Sequence, residues 1–218
     1  MAKVKDASKT QVEVRLIKHG NLESFRSYLK SKRLEKECIK FLFESGAEDK
    51  IEVYVNTVYP DAPEFKKYQK QVMKYADRRT LATYYRSCKV KTDGQIELIK
   101  RDELTAFLYF VINCGLSKKA FEFLIENGSE EQVQGFIRNQ VFFDDYTEEW
   151  KVPKAYIDIL VRSRKIAYIN MFYEEASKYE REALAQSLLK KSHQETLELI
   201  LNNEDDEFEE LKCFVWIL

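Results

Sequence analysis

The sequence predicts an all-α protein: a right-handed α-solenoid of about seven short two-helix repeats, closed by a terminal half-repeat helix. Three observations predict it. A fourteen-residue pattern recurs along the chain, its apolar residues follow helical spacing, and helix stop and start residues stand at its centre.

The pattern is plainest at residues 124–137 (LIENGSEEQVQGFI). It aligns with residues 16–29 (LIKHGNLESFRSYL), 42–55 (LFESGAEDKIEVYV), 98–111 (LIKRDELTAFLYFV) and 188–201 (LLKKSHQETLELIL), and residues 72–85 and 160–173 fit the same frame. The first column holds Leu16, Leu42, Val72, Leu98, Leu124, Leu160 and Leu188, and the second Ile17, Phe43, Met73, Ile99, Ile125, Val161 and Leu189. The tenth holds Phe25, Ile51, Leu81, Phe107, Val133, Ile169 and Leu197, and the thirteenth Tyr28, Tyr54, Tyr84, Phe110, Phe136, Phe172 and Ile200. Leu29, Val55, Tyr85, Val111, Ile137, Tyr173 and Leu201 make the fourteenth. All 35 positions are apolar, where a 44% apolar composition supplies about fifteen.

The third column is charged in every copy (Lys18, Glu44, Lys74, Lys100, Glu126, Arg162, Lys190), which reads as buried, buried, solvent. Columns ten, thirteen and fourteen stand at i, i+3 and i+4, one face of a helix rather than the alternation of a strand. Each copy is therefore two short helices. Column five carries Gly20, Gly46 and Gly128, which predicts left-handed residues ending the first helix. Ser129 with Gln132, and Ser192 with Glu195, predict capping boxes that start the second.

In chain order, residues 1–11 are a polar, frayed start, and residues 32–35 join the first two repeats. Pro60 and Pro63 in residues 57–65 (TVYPDAPEF) end one helix and delay the next, so a loop is expected there. Gly115, Leu116 and Ser117 supply a stop and then a cap before the fifth repeat. Residues 141–153 (VFFDDYTEEWKVP) form the largest insertion, aromatic and acidic, either a contact loop or a helix tucking its rings onto the stack. Successive copies start 26 to 36 residues apart, most at 26–30. A further step of 26 from Leu188 reaches Phe214, so residues 206–218 read as the first helix of an incomplete eighth repeat. One helix pair cannot bury its apolar face alone, but stacked pairs share a core.

Such stacked pairs resemble the broad HEAT- and armadillo-like class of helical-repeat proteins, over residues 12–218. The repeats are shorter than is usual in those families, and no tetratricopeptide or ankyrin signature is present. The resemblance implies an architecture and carries no chemistry.

Charged residues make up 33% of the 218, with six Gly and three Pro, which suits a soluble helical chain read as one domain over residues 12–218. No apolar run approaches the roughly 18 residues of a membrane span, and MAKVKDASKTQVEV has no apolar signal core, so a cytoplasmic setting is expected. Cys38, Cys88, Cys114 and Cys213 have no metal-like spacing with His19 or His193 and read as small core residues. His19 and His193 meet no nucleophile by spacing, and there is no glycine-rich phosphate loop. A non-enzymatic chain without cofactor or metal is expected.

The net charge of −1 conceals an asymmetry. Residues 66–101 hold eleven cations against Asp77, Asp93 and Glu97, and residues 174–210 hold twelve carboxylates against four cations. Within the basic stretch, Lys66, Lys67, Lys70, Lys74, Arg78 and Arg79 interleave with Tyr68, Tyr75, Tyr84 and Tyr85, the composition of a nucleic-acid surface or of a solvated charged face. Second-helix positions Arg26, Glu52, Gln134 and Asn170, with Trp150 of the insertion, are candidate contacts for a protein or peptide on a concave face. Residues 214–218 either cap the stack or mediate self-association, which the charge asymmetry could also drive. These features are compatible with two functions: a scaffold for a protein or peptide, and a nucleic-acid binder centred on residues 66–101.

Overall fold

The computed structural model describes residues 8–58, 63–140 and 153–218. Of these, 79% are helical and none is in a strand. The chain divides into two compact units, Met1–Glu97 and Leu98–Leu218.

The first unit contains α1 (Lys9–His19), α2 (Leu22–Ser31), α3 (Lys36–Glu44), α4 (Glu48–Thr57), α5 (Pro63–Lys67), α6 (Gln69–Tyr75), α7 (Arg78–Ser87) and most of α8 (Thr92–Lys100). Here α1 packs on α3, α2 on α4, and α4 on α6. The second unit contains α9 (Leu104–Cys114), α10 (Lys118–Asn127), α11 (Glu130–Gln140), α12 (Lys154–Arg162), α13 (Ile166–Glu175), α14 (Lys178–Leu188), α15 (Gln194–Leu201) and α16 (Glu209–Trp216). Within it α9, α11 and α13 form one row and α10, α12 and α14 another, while α15 packs on α16. In the second unit first helices thus pack on first helices and second on second as far as α14, whereas α4 on α6 and α15 on α16 join a second helix to the first helix of the following repeat.

The apolar columns make the core. Every one of their positions is buried except the half-buried Leu16, Tyr28, Tyr173, Leu197 and Leu201, and Leu189, which is exposed. Charged column three is exposed apart from the half-buried Lys190. At 57–65 the delay is partly helical, because Pro63 opens the single turn of α5, where its missing N–H costs no helical bond.

The turns between paired helices depart from expectation in an ordered way. Only Gly46 of the three column-five glycines is left-handed, at φ 70°. Asp102 (φ 53°) and Arg164 (φ 60°) take the same conformation two and four repeats later. Gly20 (φ −68°), Ala76 (φ −69°) and Gly128 (φ −72°) are extended instead. Over the first six repeats, odd and even therefore alternate. In odd repeats Asn21, Asp77 and Ser129 cap the second helix, accepting from the N–H groups of Ser24 (2.8 Å), Thr80 (2.7 Å) and Gln132 (3.4 Å). In the second, fourth and sixth repeats, Ala47, Glu103 and Lys165 provide no side-chain cap. Ser45 and Ser163 brace two of those turns, donating to Leu42 O (2.8 Å) and Leu160 O (2.6 Å). The capping box at Ser129 and Gln132 forms as expected. That at Ser192 and Glu195 does not, because Lys191–His193 is a 3-10 turn; one forms instead at Ser177 and Glu180.

Gly20 and Gly128 are required by space rather than by φ. A Cβ on Gly20 would lie 2.6 Å from both Leu16 Cδ1 and Leu16 O. On Gly128 it would lie 2.6 Å from Leu124 Cδ1 and 2.7 Å from Leu124 O. Ala76 is accommodated at the same place, where column one holds the shorter Val72.

Four of the repeats also cap their predecessors. The last carbonyls of a helix lack intrahelical donors. Lys50 Nζ donates to Ile17 O (2.5 Å), Gln132 Nε2 to Ile99 O (3.0 Å), Lys165 Nζ to Ile125 O (2.6 Å) and Thr196 Oγ1 to Val161 O (2.9 Å). All four acceptors stand in column two.

Buried polar side chains fix the links between repeats. Glu13, fully buried, accepts from Tyr28 Oη (2.7 Å) and from the N–H of Glu35 (2.8 Å), which precedes α3. Burial acts most strongly on this carboxyl and raises its pKa, but the Tyr28 and Glu35 hydrogen bonds, with Lys9 nearby, outweigh it and hold the pKa below the ordinary value of 4.5. A depressed folded pKa stabilises the fold above the unfolded value, and that contribution is lost as pH falls through the lower one. Urea midpoints should therefore fall below about pH 4.5, and Glu13→Gln should flatten that acid limb. An unchanged limb would remove Glu13 from this role.

At the C-terminal end, residues 214–218 are divided between the two expectations. Val215 is buried and Phe214 packs on Tyr173 with ring centres 4.9 Å apart and planes tilted by 42°, whereas Trp216 and Ile217 are 76% and 85% exposed.

Candidate functional site

The basic third repeat builds an open cleft of about 560 Å³ within the first compact unit. Its walls are the end of α5, the start of α6 and the first turn of α8: Lys66, Lys67, Tyr68, Gln69, Lys70, Gln71, Lys91, Thr92, Asp93 and Gly94.

The local sequence sets this frame. Gln69, buried on α6, donates through Nε2 to Lys89 O (3.0 Å) and accepts from the N–H of Lys91 (2.8 Å). It occupies the place in its repeat that Glu13 holds in the first, three residues before column one, and ties the link into the next repeat in the same manner. That bridge sets Lys91 in the wall shared with Lys66, Lys67 and Lys70. A Cβ on Gly94 would meet Val90 Cγ1 at 2.9 Å and Met73 Cγ at 3.3 Å, so glycine permits the close fit of α8. Four cations thus share the cleft with one carboxylate, Asp93, whose Oδ2 lies 3.4 Å from Lys70 Nζ. Both partners are more than half exposed, so the pair holds each other weakly.

Of the six candidate cations, Lys66, Lys67 and Lys70 are brought together, while Lys74, Arg78 and Arg79 do not line the cleft. Lys74 pairs with Glu48 at 2.7 Å, and that hydrogen bond holds its ammonium pKa above the ordinary value. Arg78 and Arg79 are exposed in the first turn of α7. Lys91 belongs to the basic stretch but is not one of those six candidates; the bridge from Gln69, a contact between repeats that the sequence does not show, brings it into the wall.

The interleaved tyrosines differ in exposure and in partners. Tyr84 and Tyr85 are buried. Tyr68 stacks on Phe43 at 4.3 Å between ring centres and carries Lys67 Nζ 5.2 Å from its own centre. Lys74 Nζ lies 4.8 Å from the centre of Tyr75.

Among the partner-contact candidates, Arg26 on α2 and Glu52 on α4 are exposed, and Gln134 on α11 is half-buried. Asn170 is not available: it is buried, donating to Glu174 Oε1 (2.8 Å) and to Glu207 O (3.4 Å), because the segment before α16 covers α13 there. Trp150 and the rest of the insertion at 141–152 lie outside the described residues.

Cys38 and Cys88 are buried, whereas Cys114 and Cys213 are exposed rather than in the core, and all four are free thiols. His193 is buried, and burial pushes its pKa below the ordinary 6.5 despite the charge of Asp158. Among the described residues, no cluster of three or more His, Cys, Asp or Glu is arranged to hold a metal ion, and no helix is long and apolar enough to cross a membrane.

These features define an all-α protein of packed helix pairs. Comparison with protein-family models, curated proteins and solved structures finds no match.

Proposed function

We propose that this chain is a non-enzymatic helical-repeat scaffold, an α-solenoid of about seven two-helix repeats with a terminal half-repeat, that binds a protein or peptide on its concave, second-helix side. The observation that carries the reading is the register: one apolar frame runs from Leu16 to Leu201, through both compact units, and leaves its third column and, at Arg26, Glu52 and Glu198, its eleventh to solvent. Repeats so built expose equivalent positions whose chemistry can vary without touching the core. In column eleven, Arg26 and Glu52 are exposed and of opposite charge, which suits a chemically varied partner rather than a uniform polyanion. A cytoplasmic setting accompanies this reading.

Nucleic-acid binding is the second reading, favoured by the charge of residues 66–101. The gathering of cations in one cleft, and the occupied tyrosine rings beside it, support the scaffold over it. The test is affinity capture with the full chain and with the double variant Arg26→Glu, Glu52→Lys. A protein recovered by the parent should be lost about tenfold or more with the variant, as reversal of interfacial charge predicts. Equal recovery by both would rule out this face.

A further inference from the structure

We propose that the cleft between α5, α6 and the first turn of α8 is a binding site for a compact polyphosphate, a small ligand carrying two or more adjacent phosphate groups.

Four observations converge on it. Lys66, Lys67, Lys70 and Lys91 line one concavity against Asp93 alone, so the lining is strongly cationic. A lone phosphate carries at most about two negative charges at neutral pH, fewer than the surplus of lysines over Asp93, whereas linked phosphates add further charge within the same small volume. The volume of about 560 Å³ suits a small molecule, and a second open cleft, between the turns of the first two repeats, lacks this chemistry. There Glu48 and Asp49 face Lys50, whose ammonium is spent on Ile17 O.

The frame is set before any ligand arrives. Gln69 bridges Lys89 O and the N–H of Lys91, and Gly94 lets α8 approach α6 closely. A site held in place loses less entropy on binding than one that must assemble. The first turn of α8, a helix of nine residues, adds the positive end of its dipole.

The same surroundings select against a nucleic-acid strand. Stacking of bases needs an open ring face, and Tyr68 has Phe43 on its ring and Lys67 near it, while Tyr84 and Tyr85 are buried. Lys74 is paired with Glu48 rather than lining the cleft. What remains is a charge-dense pocket without a base platform.

The test is calorimetric titration of the full chain with sodium tripolyphosphate at low salt, alongside inorganic phosphate and a single-stranded oligonucleotide. Tripolyphosphate should bind at one site, at least about tenfold more tightly than inorganic phosphate, and weaken as salt rises. The triple variant Lys66→Gln, Lys67→Gln, Lys91→Gln should lose at least about tenfold in affinity. The control Lys30→Gln, Lys118→Gln, Lys119→Gln removes the same charge from exposed positions elsewhere and should keep it. Circular dichroism verifies that both variants fold, and Lys91→Gln alone, with amide shifts of Lys91 and Gly94 on titration, serves if the triple variant does not. Equal loss in the control, no binding at low salt, or an oligonucleotide that binds more tightly than tripolyphosphate and is lost with the same lysines would each overturn the assignment.

Discussion

Replacing Leu124 with Ala should lower stability by about 2–5 kcal/mol. Leu124 is fully buried on α10, a helix that packs against both α11 and α12, so its removal would leave a cavity among packed helices. With a urea slope of about 1–3 kcal/mol/M, the midpoint should fall by about 1 M or more. Leu189→Ala is the matched comparison. It stands in the neighbouring column of the seventh repeat but is 54% exposed, and its substitution should cost little. Equal effects at the two positions would contradict the assignment of these columns as core.

Gly128→Ala should cost about 1–3 kcal/mol through overpacking, although alanine normally stiffens the unfolded chain to advantage. The new Cβ would stand 2.6 Å from Leu124 Cδ1, and the backbone oxygen 2.7 Å away blocks the other retreat. The third repeat already holds the compensated pair, Val72 with Ala76. Leu124→Val should accordingly reduce the cost of Gly128→Ala, with a coupling of about 0.5 kcal/mol or more in a double-mutant cycle. Strict additivity would place the reason for glycine elsewhere.

The helices and their buried faces were legible because period is a local signal. Columns ten, thirteen and fourteen announce a helical face within one turn, and Phe25, Tyr54, Phe107 and Phe136 are buried where that spacing puts them. Turn geometry was less legible. Gly20 and Gly46 share a column, yet one is extended and the other left-handed, and the distinction lies in the next residue along the chain: Asn21 can cap a helix directly, whereas Ala47 cannot. Contacts between repeats were not legible at all. Gln132 reaches Ile99 O across 33 residues of sequence, and nothing in its neighbours indicates that acceptor. The same limit explains Asn170, whose column is exposed in Arg26 and Glu52 but which the 203–208 segment covers. The cleft was half legible. Its lysines stood out by charge density, but only the Gln69 bridge separates those that gather from Lys74, Arg78 and Arg79.

Each helix pair is folded by its neighbours rather than by itself. The most direct measurement of this is the circular dichroism of residues 116–140 as an isolated peptide, compared with the full chain. The peptide contains α10 and α11, of 10 and 11 residues, below the roughly 12–15 at which isolated helices become even marginal in water. The expected result is a largely unfolded peptide with no cooperative melt beside a strongly helical full chain. A peptide that is helical and melts cooperatively on its own would contradict it.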